Sequence, residues 1–149
     1  MNGCASRRAL AVLCVIALAG CATGRPSHRD LGTVAYEPYL RGLMLERSSS
    51  LREALEAYHE ALEHDRRSPR VHIRMGATYL KLGAPDKALR AFTKALELDP
   101  HHPEALRWIG MLYTSQGNVD RAIEAYNRLL QAEPENQMAL STLADLYVL

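Results

Sequence analysis

Closely spaced histidines come nearest to a metal-binding pattern in this sequence of 149 residues. His59, Glu60 and His64 approach the pattern of a zinc-binding helix, in which two histidines four residues apart share one helical face. Here the two histidines are five residues apart, so they lie on different faces and do not converge on one metal ion. His101 and His102 are expected to be surface residues of a turn between two prolines. The spacing therefore predicts no metal site.

Nucleophilic and phosphate-binding patterns are also missing from the sequence. The run Ser48-Ser49-Ser50 has no flanking glycines of the kind that form a nucleophile elbow, and we expect it to be a turn between helices. No Gly-rich phosphate loop occurs. We therefore predict that the chain is not an enzyme and that it binds no dissociable cofactor.

The first 20 residues have the composition of a signal peptide. Arg7 and Arg8 precede an apolar run at residues 9–19, which has the length of a signal-peptide core. This run is shorter than the roughly 20 apolar residues that cross a bilayer as a helix. Residues 1–20 are therefore predicted to be a signal peptide.

The run Leu18-Ala19-Gly20-Cys21 resembles the lipobox of bacterial lipoproteins. This resemblance implies cleavage before Cys21 and acylation of both its thiol and its new amino group, since several acyl chains together anchor a protein stably. Because Ala22 is not acidic, the resemblance implies the periplasmic side of the outer membrane. The alternative is an ordinary secretory signal that is cut after Gly20 or Ala22.

Lipidation of Cys21 would leave the mature chain without a free cysteine, because Cys4 and Cys14 lie within the signal peptide. This excludes a disulfide framework and a thiol nucleophile. Residues 21–34 contain Gly, Pro and Ser without helical periodicity, and they are predicted to be a lipidated tether.

A period of 34 residues organises the rest of the chain. Small, aromatic and proline residues recur in four registers: Gly42, Gly76 and Gly110; Ala54, Ala88 and Ala122; Tyr58, Phe92 and Tyr126; Pro100 and Pro134. This period indicates a stack of helical units, each of which buries its apolar face against its neighbours. About three units are needed for a stable stack.

Residues 69–102 illustrate the unit. Gly83 is expected to end a first helix, Pro85 to open a second, and Pro100 to block its extension. Gly76 and Ala88 are small where the two helices are expected to cross. The unit is therefore helix, tight turn, helix and stop, and the predicted fold class is all-α.

The registers of Gly76, Tyr79, Gly83, Ala88, Phe92, Ala95 and Pro100 resemble the tetratricopeptide repeat. This resemblance implies a solenoid of about three and a half helical hairpins: a degenerate repeat at 35–68, two fuller repeats at 69–102 and 103–136, and the first helix of a fourth, incomplete repeat at 137–149. In the degenerate repeat, Ser49 replaces the turn glycine and Arg66 replaces the terminal proline.

The same resemblance implies that the first helices of successive repeats line a concave groove that binds a partner. The groove candidates are Tyr36, Tyr39, Leu43 and Arg47; Arg70, Ile73, Arg74, Ala77 and Lys81; and Glu104, Arg107, Trp108, Met111 and Ser115. Their cations and aromatic rings favour a peptide or protein partner with an acidic, partly apolar segment. The asparagines of a chaperone-type carboxylate clamp are missing from these positions, so that activity is not expected.

Charge argues against a nucleic-acid partner. The net charge is +1, and it becomes −1 without Arg7 and Arg8, because 16 basic residues then face 17 acidic residues. The basic residues are scattered among acids rather than clustered on one face.

The expected function is a lipid-anchored scaffold in the bacterial envelope, of the kind that assists pilus or secretion systems or envelope assembly. Two alternatives stay open: a longer chain with a downstream enzymatic or effector domain, and self-association through the apolar segment 137–149.

Overall fold

The computed structural model describes residues 28–148, with side chains from residue 36 onward. Seven α-helices follow one another in this part of the chain, and none of its residues forms a β-strand. They are α1 (His28–Arg47), α2 (Leu51–His64), α3 (Pro69–Lys81), α4 (Pro85–Leu98), α5 (Pro103–Ser115), α6 (Val119–Ala132) and α7 (Gln137–Val148). This confirms the predicted all-α fold class. No helix among these seven has both the length and the apolar character needed to cross a membrane.

The first helix starts earlier than the sequence predicted. α1 begins at His28, inside the segment 21–34 that was expected to be a non-helical tether. The helix extends upstream because Leu31, Val34 and Ala35 have the i, i+3, i+4 spacing of an apolar helical face. The predicted signal peptide at 1–20, the lipidated Cys21 and the rest of the tether lie outside the described residues.

Tight turns close the three hairpins α1–α2, α3–α4 and α5–α6. Gly83 and Gly117 have a φ of +70°, and Ser49 adopts the same left-handed conformation with a φ of 64°. The backbone N–H of the next residue donates a hydrogen bond back across the turn, with an N···O distance of 2.9 Å in each case. The pairs are Ser50 to the carbonyl of Leu45, Ala84 to that of Tyr79, and Asn118 to that of Tyr113. These bonds satisfy carbonyls that the helix end leaves free. Ser49 therefore takes the place of the turn glycine, as the sequence indicated.

Each hairpin packs an aromatic ring of its second helix onto a glycine of its first helix. The pairs are Tyr58 on Gly42, Phe92 on Gly76, and Tyr126 on Gly110. A Cβ atom at Gly76 would lie 2.5 Å from the Phe92 ring, well inside van der Waals contact. Glycine at this register therefore allows the two helices to approach closely.

Buried side chains join each hairpin to the next. Three core clusters contain residues of neighbouring hairpins: Val71 and Met75 with Ala54, Tyr58 and Ala61; Ala105 and Ile109 with Phe92 and Ala95; Ala139 and Leu143 with Tyr126 and Leu129. The second helix of one hairpin thus packs on the first helix of the next. Each hairpin is stabilised by its neighbours, which is the behaviour expected of a repeat array.

Candidate functional site

The predicted groove residues of α1, α3 and α5 divide into three groups by exposure. We call the set that reaches solvent the first-helix face. Exposed members are Tyr36, Arg47, Arg70, Lys81, Arg107, Met111 and Ser115, and half-buried members are Tyr39, Leu43, Arg74, Glu104 and Trp108. The structure thus leaves most of the predicted cations and aromatic rings in reach of a ligand.

Two predicted groove residues belong to the core instead. Ile73 is buried in the cluster that contains Phe92 and Ala95, and Ala77 is buried on the same helix. The reason is that Ile73 fills the junction between the second and third hairpins, where an aliphatic side chain gains more from packing than from contact with solvent. Neither side chain is available to a ligand.

A buried glutamate organises the junction between the first two repeats. The side chain of Glu46 is only 2% exposed. Its Oε2 accepts a hydrogen bond of 2.6 Å from the Tyr58 hydroxyl and lies 3.0 Å from Arg74 Nη2, and its Oε1 accepts a hydrogen bond of 3.0 Å from Lys81 Nζ. We call Glu46, Tyr58, Arg74 and Lys81 the Glu46 cluster. It ties α1 to α2 and α3.

The charges of the Glu46 cluster are coupled. Burial alone would raise the pKa of Glu46, but hydrogen bonds from Tyr58 and Lys81 and the positive charges of Arg74 and Lys81 outweigh burial and lower that pKa below its ordinary value. Burial, together with the neighbouring Glu46, raises the pKa of the Tyr58 hydroxyl. At neutral pH the cluster therefore combines one carboxylate with two cations and keeps a net charge of +1.

Two cations that were predicted to bind a ligand in the groove belong to the Glu46 cluster. Arg74 and Lys81 were expected to be free for an acidic ligand, but both are engaged with Glu46. The sequence did contain a signal for this. The register of Glu46 holds Leu80 and Thr114 in the next two repeats, so a lone acid occupies a register that is otherwise uncharged.

Trp108 connects the second and third repeats. Its indole stacks on Phe92 with ring centroids 5.7 Å apart and planes within 7° of parallel. Its Nε1–H is buried and has no hydrogen-bond partner. Trp108 is thus part of the junction between two repeats, and because it is only half-buried it also belongs to the first-helix face.

The helix that follows the third hairpin presents apolar side chains on both sides. Ala139, Leu143 and Leu146 are buried against the third repeat. Leu140 and Tyr147 remain exposed. The residues 34 positions before Leu140 and Tyr147 are Leu106 and Tyr113 of α5, and both pack against residues of α6. The outer side of α7 therefore corresponds to the face that a second helix covers in the preceding repeat.

The histidines form no metal centre in the described part of the chain. Within residues 28–148, no group of three or more His, Cys, Asp or Glu side chains is arranged to hold a metal ion. His59 and His64 are both exposed on α2. His102 is half-buried, and its Nδ1 has no partner.

Antiparallel helix pairs stacked with a constant period define the class of α-solenoid repeat proteins. Comparison with known families gives the kind of repeat. Two family models, both described as tetratricopeptide repeat, match residues 47–92 and 73–137. Residues 47–137 therefore contain tetratricopeptide repeats (TPRs).

Solved TPR domains share this fold at low sequence identity. The TPR domain of Arabidopsis OM64 is 20% identical with a TM-score of 0.71, and the match covers 78% of this chain and 97% of that domain. The first TPR of Spaghetti (RPAP3), described with an HSP90 peptide bound, gives 20% identity and a TM-score of 0.70 over 77% and 94% of the two chains. The second TPR domain of human RPAP3, described with an HSP70 peptide, gives 22% and 0.69 over 78% and 98%. A search of curated proteins found no match.

Proposed function

We propose that this protein is a lipid-anchored scaffold of the bacterial envelope that binds a peptide segment of a partner on its first-helix face. The observation on which this rests is the composition of that face. Exposed Arg107 lies on α5 with exposed Met111 and half-buried Trp108, and exposed Arg70 lies on α3, the first helix of the preceding repeat. Guanidinium groups form bidentate hydrogen bonds with carboxylates, and aromatic and Met side chains pack against apolar groups. The matching ligand is a segment that combines acidic and apolar side chains.

The similar TPR domains support a peptide as the class of ligand. Two of them are described with the peptides SRMEEVD and SGPTIEEVD, each of which contains consecutive acidic residues. A chaperone-type carboxylate clamp is not proposed for this chain. Its asparagines are missing from the candidate groove positions, and two of those positions hold the buried Ile73 and Ala77. The partner is therefore proposed as an acidic, partly apolar segment of an envelope protein rather than a chaperone tail.

The peptide-binding face is tested by reversing its free cations. Arg70 and Arg107 take part in no salt bridge among the described residues, so Arg70→Glu with Arg107→Glu is expected to leave the unfolding temperature unchanged. Capture of the partner should fall by roughly ten-fold or more, because hydrogen bonds to charged groups contribute about 1.5–3 kcal/mol each. The measurement is quantitative crosslinking in membranes that contain the intact lipoprotein.

The control for this experiment has the same change in charge at another place. Arg52 and Arg66 are exposed on α2 and in the turn after it. Arg52→Glu with Arg66→Glu should retain every partner that the unmodified protein captures. Equal loss of partners in both double variants would show a general effect of charge and would contradict binding at the first-helix face.

The lipid anchor is tested at Cys21. Cys21→Ser is expected to abolish acylation, to leave an unlipidated precursor and to shift its fractionation, since several acyl chains together anchor a protein stably. The measurement combines mass spectrometry of the N-terminal peptide with fractionation of the envelope. Unchanged lipid mass and unchanged fractionation would rule out Cys21 as the anchor. Cleavage after Ala22 would favour an ordinary secretory signal.

Self-association is the competing role, and it is favoured by the exposed Leu140 and Tyr147 on α7. Crosslinks between the α7 segments of two copies, in the absence of any other partner, would support it. In that case the outer side of α7, rather than the first-helix face, would be the functional surface.

A further inference from the structure

Three cations of α3 lie in one row on the first-helix face. Arg70, Arg74 and Lys81 are separated by four and seven residues, so they fall within an arc of about 40° on the helix. Arg70 takes part in no salt bridge among the described residues, whereas Arg74 and Lys81 both contact Glu46. The row therefore has one free cation and two that share a carboxylate of the protein itself.

The two engaged cations are far more open to solvent than the carboxylate that they bind. The side chain of Glu46 is 2% exposed, while those of Arg74 and Lys81 are 35% and 52% exposed. Arg74 Nη2 lies 3.0 Å from Oε2 and Lys81 Nζ lies 3.0 Å from Oε1, so each carboxylate oxygen meets one cation. Charge-assisted contacts of this kind would hold the carboxylate of a ligand equally well.

Arg74 and Lys81 keep hydrogen-bond donors that Glu46 does not use. The Lys81 ammonium has three N–H donors, and Glu46 accepts from one of them. The Nε–H of Arg74 is buried and has no hydrogen-bond partner among the described residues. Glu46, however, neutralises one of the two positive charges and repels a second carboxylate at short range. A ligand acid is therefore kept away by charge rather than by a lack of donors.

Stability of the repeat junction does not account for a buried acid. Among the described residues, no salt bridge crosses either of the other two junctions. These are joined by apolar side chains, such as Ile109 with Phe92 and Leu143 with Tyr126. A buried ion pair generally adds little stability over apolar packing of similar volume. The property that distinguishes Glu46 is therefore its charge.

We propose that Glu46 is a built-in occupant of a carboxylate subsite formed by Arg74 and Lys81. It thereby limits the recognition of acidic side chains on the first-helix face to Arg70 and Arg107. This inference rests on the peptide-binding face of the proposed function. A bound segment places its acidic side chains at the first turn of α3 and on α5, and an uncharged part over the Glu46 cluster.

The test removes the charge of Glu46 and keeps its shape. Glu46→Gln, in the full chain purified in detergent, is titrated calorimetrically with a blocked synthetic tetrapeptide that has two central glutamates between leucines. The variant should bind about five-fold or more tightly than the unmodified protein, which is the effect of one partly exposed ion pair. A tetrapeptide with glutamines in place of the glutamates should show no gain. Adding Arg74→Met to Glu46→Gln should remove the gain.

A second variant and a matched control accompany Glu46→Gln. Glu46→Leu introduces the residue type of Leu80, which has the same register in the next repeat, and should give the same gain. The control, Glu97→Gln, also removes an acid that pairs with a lysine, Lys94, but on α4 outside the first-helix face. Equal gains in Glu97→Gln and Glu46→Gln would show a general effect of net charge and overturn the inference.

The remaining outcomes separate the subsite from the peptide-binding face. Unchanged affinity in both Glu46 variants, with circular dichroism showing them folded, would make Glu46 purely structural. If Arg70→Glu with Arg107→Glu still weakens binding of the tetrapeptide, the face stands and the subsite falls. If this double reversal leaves binding unchanged, recognition at Arg70 and Arg107 falls together with the proposed function. If neither the unmodified protein nor the Glu46 variants bind the tetrapeptide, the subsite falls, and partner capture in membranes decides the face.

Discussion

Replacing both cations of the Glu46 cluster lowers the free energy of unfolding by up to about 3–5 kcal/mol, which is the range for a buried charge that loses its partners. Arg74→Met with Lys81→Met leaves the 2%-exposed Glu46 carboxylate with only the Tyr58 hydroxyl. The value is an upper limit, because both cations are themselves partly exposed and solvent screens them. Urea unfolding followed by circular dichroism measures the loss.

Two companion measurements distinguish the buried charge from a general effect of losing two cations. Adding Glu46→Gln to the double variant should restore most of the stability, since glutamine has no charge and still accepts a hydrogen bond from Tyr58. The control, Lys87→Met with Lys94→Met, removes two exposed lysines of α4 and should cost less than about 1 kcal/mol. Equal losses in the two double variants would contradict a special role for Glu46.

The pH dependence of the same variant has a defined sign. In the unmodified protein the pKa of Glu46 is lowered, so its contribution to stability is present above the ordinary pKa of 4.5 and is lost as the pH falls. In the double variant, burial without the cations raises that pKa, so protonation relieves the penalty. The difference in stability between the two proteins should therefore be largest at neutral pH and shrink as the pH falls to 4.5 and below.

Phe92→Ala is expected to cost about 3–5 kcal/mol, the usual range for removal of a buried aromatic ring. The Phe92 ring is fully buried, packs on Gly76 and stacks on Trp108. Trp108 is the single tryptophan of the sequence, so its fluorescence reports the loss directly. Emission should shift to the red in the folded variant, and thermal unfolding should occur at a lower temperature.

Gly76 provides a second test of the same contact. Gly76→Ala alone should destabilise the protein by about 1–3 kcal/mol through overpacking, although alanine has the higher helix propensity. In the Phe92→Ala background the same change should be neutral or stabilising, because the obstructing ring is gone. Thr93→Ala, on the exposed side of α4, is the control and should stay within about 0.5 kcal/mol. Additive effects of Gly76→Ala and Phe92→Ala would contradict the contact.

Much of the fold was predictable because the signals for it are local and repeated. Pro69, Pro85 and Pro103 each occupy the start of a helix, where the missing N–H costs nothing. Gly83 and Gly117 end helices in a left-handed conformation that other residues rarely adopt, and Ser49 was recognised in that role by its register alone. The predicted boundary before α1 was wrong. Gly, Pro and Ser in residues 21–34 led to the prediction of a non-helical tether, although apolar residues with helical spacing begin within that segment.

The candidate site was harder to predict because it depends on which side chains meet across repeats. Register assigned Ile73 and Arg74 to one groove, yet Ile73 is buried at a repeat junction and Arg74 reaches back to α1. Trp108 was open to assignment as groove or core; the structure shows it half-buried and stacked on Phe92. A register states the face of a helix on which a residue lies, but exposure also depends on the size and charge of the neighbours on adjacent repeats.

The amino-acid sequence by itself determined the helical hairpin, its 34-residue step and its turns, because these follow from contacts between residues close together in the chain. Only the tertiary structure decided that Glu46 is buried among Tyr58, Arg74 and Lys81, and that Met44 lies open while the residues of its register are buried in later repeats. The Glu46 contacts join residues 12 to 35 positions apart. Their formation depends on how one hairpin is rotated against the next, and that rotation results from the packing of all the side chains at the junction.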